Sequence, residues 1–180
     1  MHKQGFRPAE RLVDLANAVR ADPRLPRAAL AELLERHGEQ GLAEGEFSEA
    51  DAAGLRTAVR RLTDEVLTAA DLDEAAPALN AILAQCGARP RLSRHDGHAW
   101  HLHVDRDDEA SWADWFLASS AHALAQLISE RGALAWGTCA AADCGSLFLR
   151  TGPGSPRRYC SPACGSRSRV AAHRGRTGRR

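Results

Sequence analysis

The stretch CAAADCGSLFLRTGPGSPRRYCSPACGSR, residues 139–167 of a 180-residue chain, decides the architecture. It holds four of the five cysteines. Cys139 and Cys144 stand at C-x4-C, and after 15 residues Cys160 and Cys164 stand at C-x3-C. In a reducing compartment, paired thiols at short spacing mean metal more often than disulfide. Four thiolates close the tetrahedral shell of a zinc ion, so such a site holds a fold together and leaves no position to activate water. A redox dithiol pair or an accidental cluster are the alternatives, and neither spacing matches the C-x-x-C redox pattern. The expectation is one structural zinc held by Cys139, Cys144, Cys160 and Cys164. Cys86 stands alone in an apolar helical pattern and reads as a small core residue.

The residues around the cysteines have a local logic. Leu147-Phe148-Leu149 reads as a short strand, and Thr151–Pro156 is a turn cluster rich in Gly and Pro. Arg157-Arg158-Tyr159 is expected to pair back as the second strand. Ser161-Pro162 reads as an N-cap followed by Pro at the first helical position, opening a helix to about Arg174. A knuckle, a hairpin and a helix carrying the last Cys in its first turn make a treble-clef-like zinc module over 136–175. A unit of some 40 residues buries too little apolar surface to fold unaided, so metal binding supplies much of its folding energy.

Charge is divided along the chain. From Cys144 to the end there are nine Arg and no Asp or Glu, whereas the first 143 residues carry 15 Lys and Arg against 23 Asp and Glu. The formal charge of +1 therefore hides an acidic body and a basic end, a distribution suited to a polyanion. Arg outnumbers Lys 23 to one, which points to compositional bias, yet bias does not remove acids. On the last helix, Cys164, Ser168, Ala171 and Ala172 share one face. Arg167 and Arg174 flank that face, and Arg169, His173 and Arg176 lie beyond it. With Arg157 and Arg158 these cations are candidate phosphate contacts, because the guanidinium fork matches phosphate oxygens. A merely solvated helix is the plainer reading of the same charges. Residues 176–180 read as a basic tail.

This cysteine-and-arginine pattern resembles the CGNR zinc-finger family. That family's signature is C-x4-C, an apolar strand, a basic and aromatic step into the third Cys, and a fourth Cys opening Cys-Gly-Asn-Arg. Here the last element is Cys164-Gly165-Ser166-Arg167, with Ser for Asn, and Tyr159 stands where Trp is common. The region upstream resembles the ABATE domain that precedes this finger, through Leu12-Val13-Asp14-Leu15-Ala16-Asn17 and Leu79-Asn80-Ala81-Ile82-Leu83 in that order. The resemblance implies a stress-induced transcription regulator. Its finger would bind DNA, and its front domain, residues 1–132, would sense a small molecule or bind a protein.

Taken alone, the front domain is helical. Leu12, Leu15, Ala16 and Val19 recur at helical spacing between Pro8 and Arg20. Leu30, Leu33 and Leu34 follow Pro26 in a second helix that stops near Gly38. Ser48 and Asp51 form a capping box with Asp for the usual Glu, ahead of the stripe Leu55, Val59, Leu62, Val66 and Leu67. Asp73 is expected to cap a fourth helix bearing Leu79, Ile82, Leu83 and Cys86. Residues 89–104 break the pattern: two short runs flank the turn signal His95-Asp96-Gly97, and Trp100, Leu102 and Val104 are expected to face inward. A fifth helix runs from about Asp108 to Arg131 with Trp112, Trp115, Phe116, Leu124, Leu127 and Ile128 on its apolar face. The fold expected is mainly α with a small β-hairpin, in two parts.

Other clusters have plain readings. His95, His98, His101 and His103 suit a solvated strand face better than a second metal, because no Cys or carboxylate stands at a ligand spacing. Asp105, Asp107, Asp108 and Glu109 precede a helix, where acids suit the dipole. No Gly-rich phosphate loop, G-x-S-x-G or H-E-x-x-H is present, so no enzyme is expected. No run approaches the ~20 apolar residues of a membrane span, and the polar start, Met1–Arg7, lacks a secretory signal, so the expected location is cytoplasmic. A Trp on the fifth helix would suit a homodimer interface, core packing being its commoner use. The leading reading is a zinc-finger DNA-binding regulator gripping the phosphate backbone; the alternative is a zinc-stabilised protein- or RNA-interaction module.

Overall fold

The computed structural model describes residues 7–39, 42, 47–94, 100–104, 106–107, 109–150 and 157–177. Six helices and two small antiparallel hairpins are formed among them, in two compact units, Met1–Leu134 and Ala135–Arg180. No helix among the described residues is long and apolar enough to cross a membrane.

In the first unit α1 (Arg7–Ala21), α2 (Arg27–Arg36) and α3 (Glu49–Leu62) are followed by a wider π-type turn, Thr63–Leu67. Then come α4 (Leu72–Gln85) and α5 (Trp112–Arg131). Cap chemistry explains where α3, α4 and α5 start. The Ser48 hydroxyl accepts from the Asp51 amide at 3.1 Å, and the Asp51 carboxylate accepts from the Ser48 amide at 2.9 Å, the reciprocal pair of a capping box. Donation from the Ser48 hydroxyl and amide holds the Asp51 carboxyl below its ordinary pKa. The cap of α4 is Asp71, whose carboxylate takes the Asp73 and Glu74 amides, and not Asp73 as expected. An N-cap side chain serves amides two and three positions on, and Asp71 is the acid at that offset. For α5 the cap is Ser111, three residues past the expected start; Asp108 lies outside the described residues.

Helix α5 is the centre of this unit and packs against α1, α3 and α4, with α2 laid over α1 and α3. Leu12, Leu15, Leu30, Leu34, Leu55, Leu62, Leu79, Ile82 and Phe116 are fully buried between them. Aromatic edges close one end: Phe47 meets Trp112 at 5.5 Å, and Trp112 meets Trp115 at 5.4 Å, both edge to face, the arrangement that ring quadrupoles favour. Cys86 is buried, as its apolar setting implies, and burial raises its thiol pKa.

Strands β1 (Arg91–Ser93) and β2 (His101–His103) pair antiparallel, with Leu92 opposite Leu102. Here the expected orientation is corrected. Val104 is buried, but Leu92, Trp100 and Leu102 are 68%, 64% and 52% exposed. Alternation sets which residues share a face; it does not say which face meets the body. Arg91 and His103, opposite one another on the other face, are the half-buried pair. The expected turn, His95-Asp96-Gly97, lies outside the described residues, as do His98 and Asp105.

The second unit holds β3 (Trp136–Thr138), β4 (Leu147–Leu149) and α6 (Pro162–Thr177). The partner of β4 is β3, in the register Trp136 to Leu149, and not Arg157–Tyr159 as expected. The C-x4-C knuckle therefore sits at the tip of this hairpin. Trp136, Leu147, Phe148 and Leu149 are all buried. Arg158 still reaches the knuckle, its carbonyl accepting from the Ala140 amide at 2.9 Å, but one bond of this kind does not make a strand. Helix α6 runs on to Thr177, past the expected end at Arg174. Residues Thr151–Pro156 and 178–180 lie outside the described residues.

Candidate metal centre

The site is assembled by backbone first. In the knuckle the Cys144 amide donates to the Ala141 carbonyl at 3.1 Å and the Cys139 amide to the Ser146 carbonyl at 2.8 Å. These bonds fold Cys139 and Cys144 toward each other. Gly145 completes the bend at φ +63°, a conformation that costs a side-chain-bearing residue about 1–2 kcal/mol. The other two cysteines are positioned by the start of α6. The Ser161 hydroxyl accepts from the Cys164 amide at 3.2 Å, capping the helix, and the Gly165 amide reaches the Ser161 carbonyl. Phe148, Ala141 and Tyr159 pack around the sulfurs and form the small core of the unit.

The four Sγ atoms lie within 4.8 Å of one another. Cys144 to Cys160 and Cys160 to Cys164 are each 3.6 Å. A disulfide would need about 2.05 Å. A tetrahedron with Zn–S of about 2.3 Å has edges of about 3.8 Å. The sulfurs are thus spaced as zinc ligands, and all four cysteines are free thiols. Donor type and spacing both fit one structural zinc. Among the described residues no other group of three or more His, Cys, Asp or Glu is placed to hold an ion.

Crowding four thiols splits their acidity. The hydroxyl and amide of Ser146 draw Cys144 down to about 6, with further help from the Cys160 thiol. Burial first, then the neighbouring sulfurs, pushes Cys160 up to about 12. One negative charge is accommodated readily and the last is opposed. A divalent ion at the centre relieves that opposition, which is why such ligands ionise together on binding.

The cations divide into two groups. Arg157 donates to the Leu149 carbonyl at 2.9 Å and Arg167 to the Cys164 sulfur at 3.0 Å, so both have work inside the unit. Arg158 lies over Tyr159 with its guanidinium carbon 5.8 Å from the ring centroid, and Arg169 donates to Ser166 at 3.1 Å on the surface. Every residue from Arg169 to Arg174 is exposed, whichever way it faces around α6. Arg176 is in the helix, and its side chain lies outside the described part. Sequence reasoning missed the Ser146 hydroxyl, 3.3 Å from the Cys144 sulfur, and the sulfur contact of Arg167. The i to i+3 step from Cys164 to Arg167 was the available signal for the second. In the first unit it also missed Arg11, although Arg11 repeats at the spacing of Leu15 and Val19.

Comparison with known families gives two matches. Residues 136–177 match the CGNR zinc finger, and residues 8–142 match ABATE, described as a putative stress-induced transcription regulator. Neither description is that of an enzyme. No curated protein matches the chain.

Proposed function

Because the chain belongs to the ABATE family and carries a CGNR zinc finger at its end, we propose that it is a regulator whose zinc-held unit binds duplex DNA through the phosphate backbone. The first unit receives the signal, from a small molecule or a protein. The observation that carries this is α6 itself. Every residue from Arg169 to Arg174 is exposed, and no acid occurs from Cys144 to the end. An isolated helix of this length is marginal in water, and small residues such as Ala171 and Ala172 allow close approach to a polyanion. Arg158, Arg169, Arg174 and Arg176 are the proposed phosphate contacts, with Arg157 adding the donors it does not give to Leu149.

The test is a fluorescence-anisotropy titration of a labelled duplex with the full chain at several salt concentrations. Each phosphate neutralised contributes about −0.9 to the slope of log K against log salt, so five contacts predict about −4.5. Arg158→Ala, Arg169→Ala and Arg174→Ala should each flatten the slope by about 0.9, uniformly across sequences. Binding that ignores salt, or no binding at low salt, would sink the proposal. Much tighter binding to RNA or to an acidic peptide would favour an interaction module instead.

A further inference from the structure

We infer that Arg167 is a positioning residue of the zinc site, holding the Cys164 thiolate, and that it is not one of the phosphate contacts. This rests on the zinc reading alone and stands whether or not the polyanion is DNA.

The geometry is specific. Cys164 and Arg167 are one turn apart on α6, and the guanidinium Nη2 donates to Cys164 Sγ at 3.0 Å. Polar neighbours stand beside three of the sulfurs. The Cys160 amide faces Cys139 Sγ at 3.4 Å, the Ser146 hydroxyl faces Cys144 Sγ at 3.3 Å, and Arg167 faces Cys164 Sγ. Of the three, only Arg167 brings a full positive charge. Four thiolates around a divalent ion leave the centre with two net negative charges, so a cation donating directly to one of the sulfurs has a larger effect than one elsewhere on the helix, although Arg167 itself is exposed. Cys164 is itself buried, at 4% exposure, where less water competes for the sulfur lone pairs. Partners of this kind orient metal ligands and typically change metal affinity 10–100-fold when removed. Arg suits the role better than Lys, because its planar fork fixes direction as well as charge. The neighbouring Arg169 turns the other way, toward Ser166, and serves as the internal control.

The full chain is compared with Arg167→Ala, Arg167→Lys and Arg169→Ala by three readouts. Competition against a chromogenic chelator should show zinc binding weakened 10–100-fold in Arg167→Ala, partly restored in Arg167→Lys, and unchanged in Arg169→Ala. The cobalt-substituted protein should show a shifted sulfur-to-cobalt charge-transfer band in Arg167→Ala, a smaller shift in Arg167→Lys and none in Arg169→Ala, with the helix circular-dichroism signal unchanged in all three. At saturating zinc, Arg167→Ala should keep the wild-type salt slope on duplex DNA. Zinc affinity within twofold of wild type with an unmoved cobalt band would overturn the inference. So would a salt slope flattened by about 0.9 at saturating zinc, since that is the behaviour of a phosphate contact. Failure of all variants, wild type included, to bind DNA would count against the proposed function and leave the zinc result to be read by itself.

Discussion

The guanidinium carbon of Arg11 lies 4.1 Å from the centroid of the Trp115 ring, joining α1 to α5 through a buried cation. The same group pairs with Glu39 and donates to the Ser119 hydroxyl at 2.7 Å. Burial lowers the Arg11 pKa, and Glu39 counters that shift by favouring the charged form. Removing one partner of a buried pair strands the other. Arg11→Ala should therefore destabilise the first unit by about 3 kcal/mol, near the lower end of the usual range because Glu39 is 27% exposed. The urea midpoint measures it, and a loss under about 1 kcal/mol would show that the pair is worth no more than a surface bridge.

His122, on α5, has a buried Nε2 without a hydrogen-bond partner among the described residues, and burial lowers its pKa from the ordinary 6.5. The neutral ring is the form the fold accepts. The unfolded chain then binds the proton more readily, so stability is full above pH 6.5 and declines as pH falls through the lowered value. Thermal midpoints between pH 7.5 and 5 should drop, and His122→Leu should flatten that dependence. An unchanged pH profile in the variant would remove His122 as a source.

Zinc removal should act on one unit only. Apparent zinc binding energies in finger peptides reach about 10–16 kcal/mol at neutral pH, far beyond what the small core around Phe148 can supply. A chelator should abolish the circular-dichroism contribution of α6 and leave the urea transition of the first unit in place. Cys160→Ser should do the same. A helix signal that survives complete demetallation would separate α6 from the metal.

Two glycines beside the site should respond differently to substitution. Gly145 has positive φ and open space where a Cβ would go, so Gly145→Asn should be mild and Gly145→Val severe. At Gly165 a Cβ would come 3.3 Å from the Tyr159 ring, so even Gly165→Ala should cost about 1 kcal/mol. Zinc affinity of the three variants gives the order, and equal tolerance at both positions would contradict it.

How far the residues announced this structure depends on the range of the interaction involved. Ser48 with Asp51 and Ser161 with Cys164 act within one helical turn, and both were readable as caps from spacing. The partner of Leu147–Leu149 was not, because Trp136–Thr138 and Arg157–Tyr159 are each close enough in sequence to pair and only packing separates them. Arg11 escaped notice because a single charge on an apolar stripe reads as a boundary, until Glu39, Ser119 and Trp115 converge on it from distant positions. Leu92, Trp100 and Leu102 have the alternation of a buried strand and still face outward, since period-two patterning names two faces and leaves their destinations open.

The metal site and the helical character of the chain were therefore set locally, by thiols at two short spacings and by apolar residues recurring every third or fourth position. Tertiary structure decided what depends on distant neighbours: which strand accompanies Leu147–Leu149, which way Leu92 and Leu102 face, and where one cation is hidden between helices. Local patterns act through covalent geometry and adjacent amides. The fate of a charge depends on what the rest of the fold brings within a few ångströms of it.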